Sequence, residues 1–499
     1  MNLGRMLRQA AAKTPHKTAI ICGEQQVTYE SFDRSTDALA HWLIAQSLTA
    51  GDRVAIHWTN SIETASLYFA CFKAGLIAVP MNNRLKPPEI AYILQHSQSK
   101  LCFSQPDLAP LCEEIRAECP DLRHLHTSLP RLDGAATAPL PEAGPENVAA
   151  VLYTSGTTAR PKGVMHTHVS LTGSTELMAA LGIDDTHVLL ATTQMLHISA
   201  LACVLLPSVA RCATVVLMPM FDPAQSLDLV QRWRVTTLLC LPAMLRFVVE
   251  EQGRNPRDVA SVRLCLAGGD TVPVNLQDRF RALFGCSVRE LYGMTESVPI
   301  TTIPEDGPRS GSVGPAVSLI ETRVITLDGK LAADGEPGEL QVQSPANCVG
   351  YWANPEATAE TFQDGWLRTG DLVHRDSDGY FWFDGRAKQI IIRCGSNISP
   401  QEVEEALYHH PAVLEAGVIG MPDAALGERV VAFVALREGL SATEEELRDL
   451  VRGRIADYKT PERVFFLDVL PKGLTGKVQR RALKDMALAS PEMSMGASA

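Results

Sequence analysis

A stretch between residues 153 and 168, YTSGTTARPKGVMHTH, combines hydroxyl side chains, glycines and one lysine in a single loop. Glycine lets a ligand approach the backbone closely, and hydroxyl and main-chain N–H groups can surround phosphate oxygens. The pattern differs from the G-x-x-x-x-G-K-[ST] loop of common nucleotide hydrolases, and a polar surface turn is the alternative. We predict a phosphate-binding loop made by Thr154, Ser155, Gly156, Thr157, Thr158 and Lys162.

Two further motifs, CLAGGDT and LYGMTES, offer groups suited to the rest of a nucleotide. The ring of Tyr292 can stack on adenine, and Gly268 and Gly269 would let the backbone approach the same base. The hydroxyl of Thr295 can bind a phosphate oxygen, and the Glu296 carboxylate is a hard ligand for Mg²⁺. A carboxylate at the start of a helix is the alternative for Glu296. The same two motifs add Asp270, Gly293 and Met294 to the predicted binding residues.

Four residues outside these motifs are also candidates. Asp371, in a glycine-containing loop RTGDL, can accept ribose hydroxyls, with an Asx turn as the alternative. Arg386 can reach ribose or phosphate, or form a surface ion pair of little energetic value. Lys477 lies on a glycine-containing turn, LTGKVQ, where a lysine is usually solvated. His197, in QMLHISAL, either lines an acyl pocket or is simply packed.

Strand-like and helix-like segments alternate through the first half of the chain, as in RVAIHW, SIETASLYFACFKAG and LIAVP. This pattern predicts parallel sheets covered by helices. We place the phosphate loop between a strand, VAAVLYT, and a helix that begins near residue 167. From Ser312 short strands predict a small β subdomain, and after Gly385 a compact pattern predicts a helix with Ser399 as its N-cap and Glu402 completing a capping box. The predicted class is α/β, with a large domain over 1–385 and a small mobile α+β domain over 386–499.

Charge and composition narrow the range of functions. The 45 basic and 57 acidic residues give a net charge of −12, which argues against nucleic acid as a partner. The N-terminus lacks the apolar core of a signal peptide, and no apolar run reaches the length of a membrane span. Twelve cysteines without a C-x-x-C pair are typical of thiols in a reducing compartment. We therefore expect a cytoplasmic protein.

Five stretches, in order along nearly the whole chain, resemble the acyl-activating, adenylate-forming enzymes: acyl-CoA ligases, firefly luciferases and the adenylation domains of peptide synthetases. They are YTSGTTARPKG, LYGMTES, GWLRTGDL, DGRAKQIIIRCGSNISPQEVE and PKGLTGKVQRRAL. The first half looks most similar to bacterial fatty-acyl-CoA ligases. The resemblance implies that a carboxylate attacks MgATP to give acyl-AMP and pyrophosphate, after which coenzyme A gives the thioester and AMP. It also implies the cofactors ATP, Mg²⁺ and coenzyme A.

The same resemblance implies roles for single residues. Lys477 would bridge the substrate carboxylate and the α-phosphate, with Thr295, Glu296 and His197 as the other catalytic residues. The C-terminal domain would rotate between the two half-reactions about a hinge at Lys388, and Gly395 would line a narrow pantetheine channel. The chain departs from the family at Ala159, where glycine is usual; a left-handed backbone there would cost about 1 kcal/mol.

The sequence defines the acid substrate less closely than it defines the reaction. QMLHISAL contains no Asp to hold an α-ammonium group, which weighs against an amino acid. Small or apolar residues predict an open, apolar pocket for a medium- or long-chain fatty acid first and an aryl or arylpropenoic acid second. A domain that loads a carrier protein, a luciferase-like oxygenase and a non-catalytic nucleotide-binding relative are the remaining candidates. Peripheral membrane contact and a homodimer stay open. The residues expected to shape the pocket are Ile198, Ser199, Ala200, Ala267 and Gly293.

Overall fold

A computed structural model describes residues 2–131, 139–154, 161–270, 272–304, 309, 311–326, 328–386, 389–393, 396–423, 426–473 and 477–490. The predictions made for Ser155–Thr158, Ala159, Lys388 and Gly395 therefore fall outside the described residues. The chain divides into two compact units, the first over 1–322 and 342–368, the second over 323–341 and 369–499. The second unit is larger than the predicted C-terminal domain, and the hinge near residues 386–388 stays a prediction.

The α-helices are distributed along both units. In chain order they are α1 (Leu3–Lys13), α2 (Tyr29–Ala45), α3 (Ile62–Ala74), α4 (Pro87–Ser97), α5 (Ala109–Glu114), α6 (His168–Ala179), α7 (Ile198–Ala200), α8 (Leu206–Ala210), α9 (Pro223–Trp233), α10 (Pro242–Arg254), α11 (Val274–Phe284), α12 (Pro355–Thr361), α13 (Pro400–Tyr408), α14 (Glu444–Arg452) and α15 (Arg480–Ala489). Leu201–Leu205 forms a π-helical turn between α7 and α8.

The strands are mostly short and rich in buried aliphatic residues, as the sequence predicts. They are β1 (Thr18–Cys22), β2 (Gln25–Thr28), β3 (Arg53–His57), β4 (Ile77–Pro80), β5 (Leu101–Ser104), β6 (His124–His126), β7 (Val148–Thr154), β8 (Lys162–Thr167), β9 (Val188–Ala191), β10 (Thr214–Leu217), β11 (Thr237–Cys240), β12 (Leu264–Gly268), β13 (Val288–Met294), β14 (Ser297–Thr302), β15 (Gly314–Pro315), β16 (Glu321–Ile325), β17 (Gly338–Gln343), β18 (Phe362–Gln363), β19 (Trp366–Arg375), β20 (Tyr380–Arg386), β21 (Ile391–Arg393), β22 (Ser396–Ile398), β23 (Val413–Asp423), β24 (Gly427–Leu436) and β25 (Arg463–Phe466).

The first unit contains two mainly parallel sheets, which confirms the predicted fold class. One has the order β14-β13-β12-β11-β9-β10-β1-β2 and the other β6-β5-β3-β4-β7-β8. In the first sheet the inner strands are parallel, and β14 and β2 pair antiparallel at the edges. Strands such as TVVL and TLLC are buried throughout, because helices cover both faces of the sheet.

Successive side chains of a strand point to opposite faces of the sheet and so belong to different hydrophobic cores of the first unit. In β9 and β12, Leu189 and Leu266 pack with helices α1, α2, α3 and α6, which also cover one face of the second sheet. Leu190 and Cys265 point to the opposite face and pack against α9, α10 and α11. Another buried cluster joins α4 and α5 to the outer face of the second sheet. The unit is thus layered as helix, sheet, helix, sheet, helix.

The second unit contains β16, β17, β19 and β20 in one sheet and β22-β21-β24-β23 in another, with β25 pairing parallel to β24. The predicted helix after Gly385 is α13, and the Ser399 hydroxyl accepts from Glu402 N as expected. The predicted capping box is wrong, because the Glu402 carboxylate instead pairs with the Lys459 ammonium at 2.7 Å. The ion pair with a distant residue has replaced only the Glu402 half of the capping box. No helix within the described part of the chain is both long enough and apolar enough for a membrane span.

Candidate active site

The phosphate motif lies on a hairpin. Thr154 ends β7 and pairs directly with Lys162, the first residue of the antiparallel β8. The prediction that a helix follows the loop is therefore wrong in one respect, because β8 intervenes and α6 starts only after the N-cap Thr167. Thr154 and Lys162 are half-buried. The strand holds Lys162 in a defined position instead of leaving it on a free loop.

The LYGMTES motif forms a second hairpin at the edge of the first sheet. Met294 on β13 pairs with Ser297 on β14, so Thr295 and Glu296 form the two-residue turn. The helix-start alternative for Glu296 is wrong, since an extended strand follows it. Glu296 is buried, with 8% of its surface exposed. Its Oε1 accepts a hydrogen bond of 2.7 Å from the Tyr351 hydroxyl.

A buried histidine fixes the same turn from the side of β8. The Nε2 of His166 lies 2.7 Å from the carbonyl oxygen of Thr295, and its Nδ1 lies 3.1 Å from Ser170 Oγ. A ring nitrogen facing a carbonyl must carry the proton, so the neutral Nε2–H tautomer follows. Burial lowers the pKa of His166 to about 4, although its bond to Thr295 acts in the opposite direction. The ring is neutral at physiological pH and orients the turn by hydrogen bonding alone.

Residues 348–352, which we call the strap, connect the two hairpins. Cys348 N donates to Glu296 O at 2.8 Å, and Trp352 N donates to Gly163 O at 2.7 Å. Between them, Val349 and Gly350 exchange backbone hydrogen bonds with Met165 on β8. The strap therefore fixes the distance between the phosphate motif and the Thr295–Glu296 turn.

Tyr351, on this strap, contacts both predicted charged groups. The ammonium of Lys162 lies 4.8 Å from the centroid of the Tyr351 ring, within the range of a cation–π interaction. The Tyr351 hydroxyl bonds to Glu296. Sequence reasoning missed both Tyr351 and His166. No local pattern identifies them, since they join the site only through pairing of distant segments.

The glycines of CLAGGDT are required by close backbone packing. A Cβ on Gly268 would lie 2.1 Å from the carbonyl oxygen of Leu291, its partner on β13. Gly269 has φ +90°, a conformation that disfavours other residues. Gly268 is adjacent to Tyr292 at the carboxyl edge of neighbouring parallel strands, so two of the residues predicted to face adenine lie side by side. Asp270 is exposed at the same edge.

Gly293 and Met294 occupy the last positions of β13, before the Thr295–Glu296 turn, and both are half-buried. A Cβ on Gly293 would lie 2.8 Å from Val298 Cγ2 on β14. The hairpin therefore requires glycine there for packing, whatever its role toward a ligand.

The predicted acyl segment begins at His197, the residue that precedes α7. His197 is half-buried, and burial lowers its pKa to about 4, so the ring is neutral near pH 7. Ile198 and Ala200 join the core that includes Leu291 and Val298, and the π-helical turn packs against β14. Ser199 is half-buried beside them.

One pocket residue is misplaced in the prediction. Ala267 packs with Cys265 and Phe280 against the outer helices, on the opposite face of the sheet from Ile198. Side chains alternate between the two faces of a strand, and Ala267 follows Leu266. Its small size reflects packing against the outer helices and adds no space beside His197.

The second unit holds the remaining candidates. Asp371 is inside β19 and not in a loop, with 1% of its side chain exposed, and its Oδ1 lies 2.8 Å from Arg386 Nε across the β19–β20 pair. The Asx-turn alternative is thus wrong. Arg386 is more exposed and pairs with a buried carboxylate. Lys477 is exposed, and its carbonyl oxygen accepts a hydrogen bond of 2.8 Å from Gly473 N.

The residues present fit a magnesium ion that is held mainly by its nucleotide. Mg²⁺ in such sites binds one or two carboxylates together with substrate phosphates and water. Glu296 supplies a buried carboxylate with one oxygen fixed by Tyr351, and Thr295 supplies a neighbouring hydroxyl. The described residues contain no cluster of three or more acidic, histidine or cysteine side chains suited to a metal.

Known proteins are similar to this chain over nearly its whole length. A model of the AMP-binding enzyme family matches residues 7–352, and a model of the AMP-binding enzyme C-terminal domain matches residues 402–477. A sulfoacetate–CoA ligase of Cupriavidus necator is 35% identical, over 97% of this chain and 98% of the relative. The fatty acid–[acyl-carrier-protein] ligase ScoC of Streptomyces coeruleorubidus is 34% identical over 95% and 94%. A long-chain-fatty-acid–CoA ligase of Bacillus subtilis is 33% identical over 96% and 94%.

Solved structures show the same similarity. The anthranilate CoA ligase AuaEII in complex with anthranoyl-AMP has a TM-score of 0.93 and 27% identity, covering 98% of both chains. ATP-bound MatB from Rhodopseudomonas palustris has a TM-score of 0.89 and 30% identity, covering 98% of this chain and 99% of that one. The chain therefore belongs to the AMP-binding enzyme family and is an AMP-forming acid–thiol ligase, an acyl-CoA synthetase that consumes ATP.

Proposed function

We propose that this ligase activates a medium- or long-chain fatty acid and transfers it to coenzyme A. The supporting observation is the absence of charge along the acyl segment. Residues 194–205, QMLHISALACVL, contain no Lys, Arg, Asp or Glu. The lowered pKa of His197 leaves its ring neutral as well. A second anionic group on the acid, such as a sulfonate, would find no cation along this segment, whereas an apolar tail would meet no charged side chain there.

An aryl acid is the second candidate. An aromatic ring is also uncharged and apolar, so the same segment would accept it, and the similarity to an anthranilate CoA ligase supports this alternative. A carrier protein as the thiol acceptor is supported by the similarity to ScoC. The identity of the acid is tested in the first half-reaction and the identity of the thiol acceptor in the second. The two alternatives can therefore be tested separately.

In the first half-reaction the acid carboxylate attacks the α-phosphorus of ATP, forming acyl-AMP and releasing pyrophosphate. We assign the β7–β8 hairpin with Lys162 to the phosphates and the Thr295–Glu296 turn to the phosphate oxygens and to Mg²⁺, which when bound offsets triphosphate charge. Gly268, Gly269 and Tyr292 would hold the adenine. Asp371 and Arg386 would bind the ribose, and Lys477 would bring the two anionic reactants together.

In the second half-reaction the thiol attacks the acyl carbon of acyl-AMP and AMP leaves. We propose that the C-terminal domain turns about Lys388 between the two steps, so that Gly395 replaces Lys477 beside the reacting carbon. A glycine there would leave room for a narrow pantetheine chain. A cytoplasmic location, peripheral membrane contact and a homodimer remain predictions from the sequence.

Pyrophosphate release over a panel of acids tests the substrate proposal. With straight-chain acids of six to ten carbons, each methylene buried in an apolar pocket is worth about 0.8 kcal/mol, or about fourfold in kcat/KM. Decanoate should therefore exceed hexanoate by about 10²-fold. Sulfoacetate or a cinnamate-type acid ranking above decanoate would overturn the fatty-acid assignment.

A charge substitution tests whether His197 lines the pocket. His197→Arg places a cation beside the tail, so decanoate should lose kcat/KM and sulfoacetate should gain relative to it. The matched variant His197→Gln stays neutral and should keep the ranking of the acids. An unchanged ranking in His197→Arg would remove His197 from the pocket. Repeating the panel with coenzyme A and with a carrier protein that bears a free pantetheine thiol, and measuring the thioester formed, identifies the thiol acceptor.

A further inference from the structure

Tyr351 lies between two charged groups of opposite sign that belong to different hairpins. Its hydroxyl is 2.7 Å from Glu296 Oε1, and its ring centroid is 4.8 Å from the Lys162 ammonium. Tyr351 is 7% exposed, so both contacts are made away from bulk solvent. One side chain thus connects both predicted binders of the triphosphate.

We propose that Tyr351 is a positioning residue for the adenylation step, holding the Glu296 carboxylate and the Lys162 ammonium in the geometry that MgATP requires. This inference rests on the proposed roles of Lys162 and Glu296. It adds a residue that touches neither the reacting atoms nor, in our assignment, the nucleotide.

The backbone around Tyr351 makes such a role physically reasonable. The strap is fixed at both ends, to Glu296 O through Cys348 N and to Gly163 O through Trp352 N. Tyr351 N donates to Thr358 Oγ1 at 2.9 Å, and Val164 on β8 forms a β-bridge with Tyr351. The backbone that carries Tyr351 is therefore held to both hairpins, so its side chain can restrain Glu296 and Lys162 relative to each other.

The chemistry of the hydroxyl suits a carboxylate that must bind a metal. A phenol donating to one oxygen fixes the carboxylate plane and leaves the second oxygen for another ligand. Partners that orient metal ligands typically change metal affinity or activity 10–100-fold when removed.

Two substitutions separate the hydroxyl from the ring. Tyr351→Phe removes the bond to Glu296 and keeps the ring beneath Lys162. We expect about a tenfold increase in the Mg²⁺ concentration for half-maximal pyrophosphate exchange, with little change in KM for ATP at saturating Mg²⁺. Tyr351→Leu also removes the ring and should raise the KM for ATP several-fold more. Binding of ATP with and without Mg²⁺, measured by calorimetry, gives a readout independent of turnover.

The control is Tyr29→Phe, which removes another buried hydroxyl, one that bonds to the carbonyl oxygens of Ser208 and Ala213. A merely structural role for Tyr351 would lower thermal stability in both Phe variants without moving the Mg²⁺ dependence. Tyr351→Phe with wild-type Mg²⁺ dependence and wild-type Mg²⁺-linked ATP affinity would overturn the proposal.

Glu296→Gln and Lys162→Ala distinguish failure of this inference from failure of the proposed function. If these two variants keep full pyrophosphate exchange, the assigned site itself is wrong. If they lose exchange but Tyr351→Phe does not change the Mg²⁺ dependence, only the positioning role is wrong. In the double variant Tyr351→Phe with Glu296→Gln, the Phe change should have no further effect on the Mg²⁺-linked ATP affinity measured by calorimetry, because the two residues act through one contact. Independent, additive effects would overturn the proposal.

Discussion

Substitution of Gly268 by alanine should distort the nucleotide site without changing any polar group. The added Cβ would lie 2.1 Å from the carbonyl oxygen of Leu291, about 1.3 Å closer than the 3.4 Å at which ordinary contact begins. The obstructing atom is backbone, so β12 and β13 must separate at their carboxyl ends. β13 continues directly into Tyr292 and the Thr295–Glu296 turn.

A displacement of about 1 Å in a catalytic arrangement can reduce the rate about 10²-fold, and overpacking typically costs about 1–3 kcal/mol of stability. We expect Gly268→Ala to lower kcat/KM for pyrophosphate exchange by about 10²-fold and to weaken ATP binding measured by calorimetry. Far-ultraviolet circular dichroism should stay unchanged.

Gly253→Ala is the matched control. Gly253 is exposed on α10, and a Cβ there would meet nothing within 4 Å. In a helix, alanine is favoured over glycine by up to about 1 kcal/mol, so this variant should be active and no less stable. If Gly268→Ala exchanges pyrophosphate at the wild-type rate, the carboxyl edge of β12 does not support the nucleotide and our interpretation of the glycines is refuted.

Two other predictions concern the second unit and pH. Lys477→Ala should abolish acyl-AMP formation while supplied acyl-AMP is still converted to the thioester; normal pyrophosphate exchange in that variant would contradict the role of Lys477. The pKa of His166 is lowered from 6.5 to about 4 by burial, so the unfolded state binds the proton more tightly and the free energy of unfolding should fall as pH decreases from 6.5 to 4. His166 accounts for a loss of at most about 3 kcal/mol in the free energy of unfolding. Urea unfolding at pH 7, 6 and 5 should show that this free energy falls less steeply with decreasing pH in His166→Gln than in the wild type. The same pH dependence in both proteins would count against the prediction.

The chemical groups of the site were predictable because they lie in short, contiguous motifs. Hydroxyls, glycines and Lys162 occur within one loop, and Tyr292 to Glu296 are consecutive. The alternation of strands and helices was predictable as well, since buried strands such as TVVL and TLLC carry their own composition. N-caps such as Ser399 are local signals and were confirmed.

Several sequence-based predictions were wrong at places where contacts with distant segments override the local conformational preference. β8 was missed because it is stabilised from both sides, by β7 and by the strap. The Glu402 carboxylate pairs with Lys459 and does not complete the predicted capping box. Ala267 was assigned to the pocket from its size, although which face of the sheet it occupies depends on the register of β12 with its neighbours.

The sequence by itself determined the family of chemistry, because the reactive side chains and the glycines between them are adjacent in the chain. Only the tertiary structure decided how those groups are held. Tyr351 and Glu296 are 55 positions apart, and His166 and Thr295 are 129 apart. Such contacts arise from strand pairing and core packing across the whole unit, and no short window of residues contains the information that brings them together.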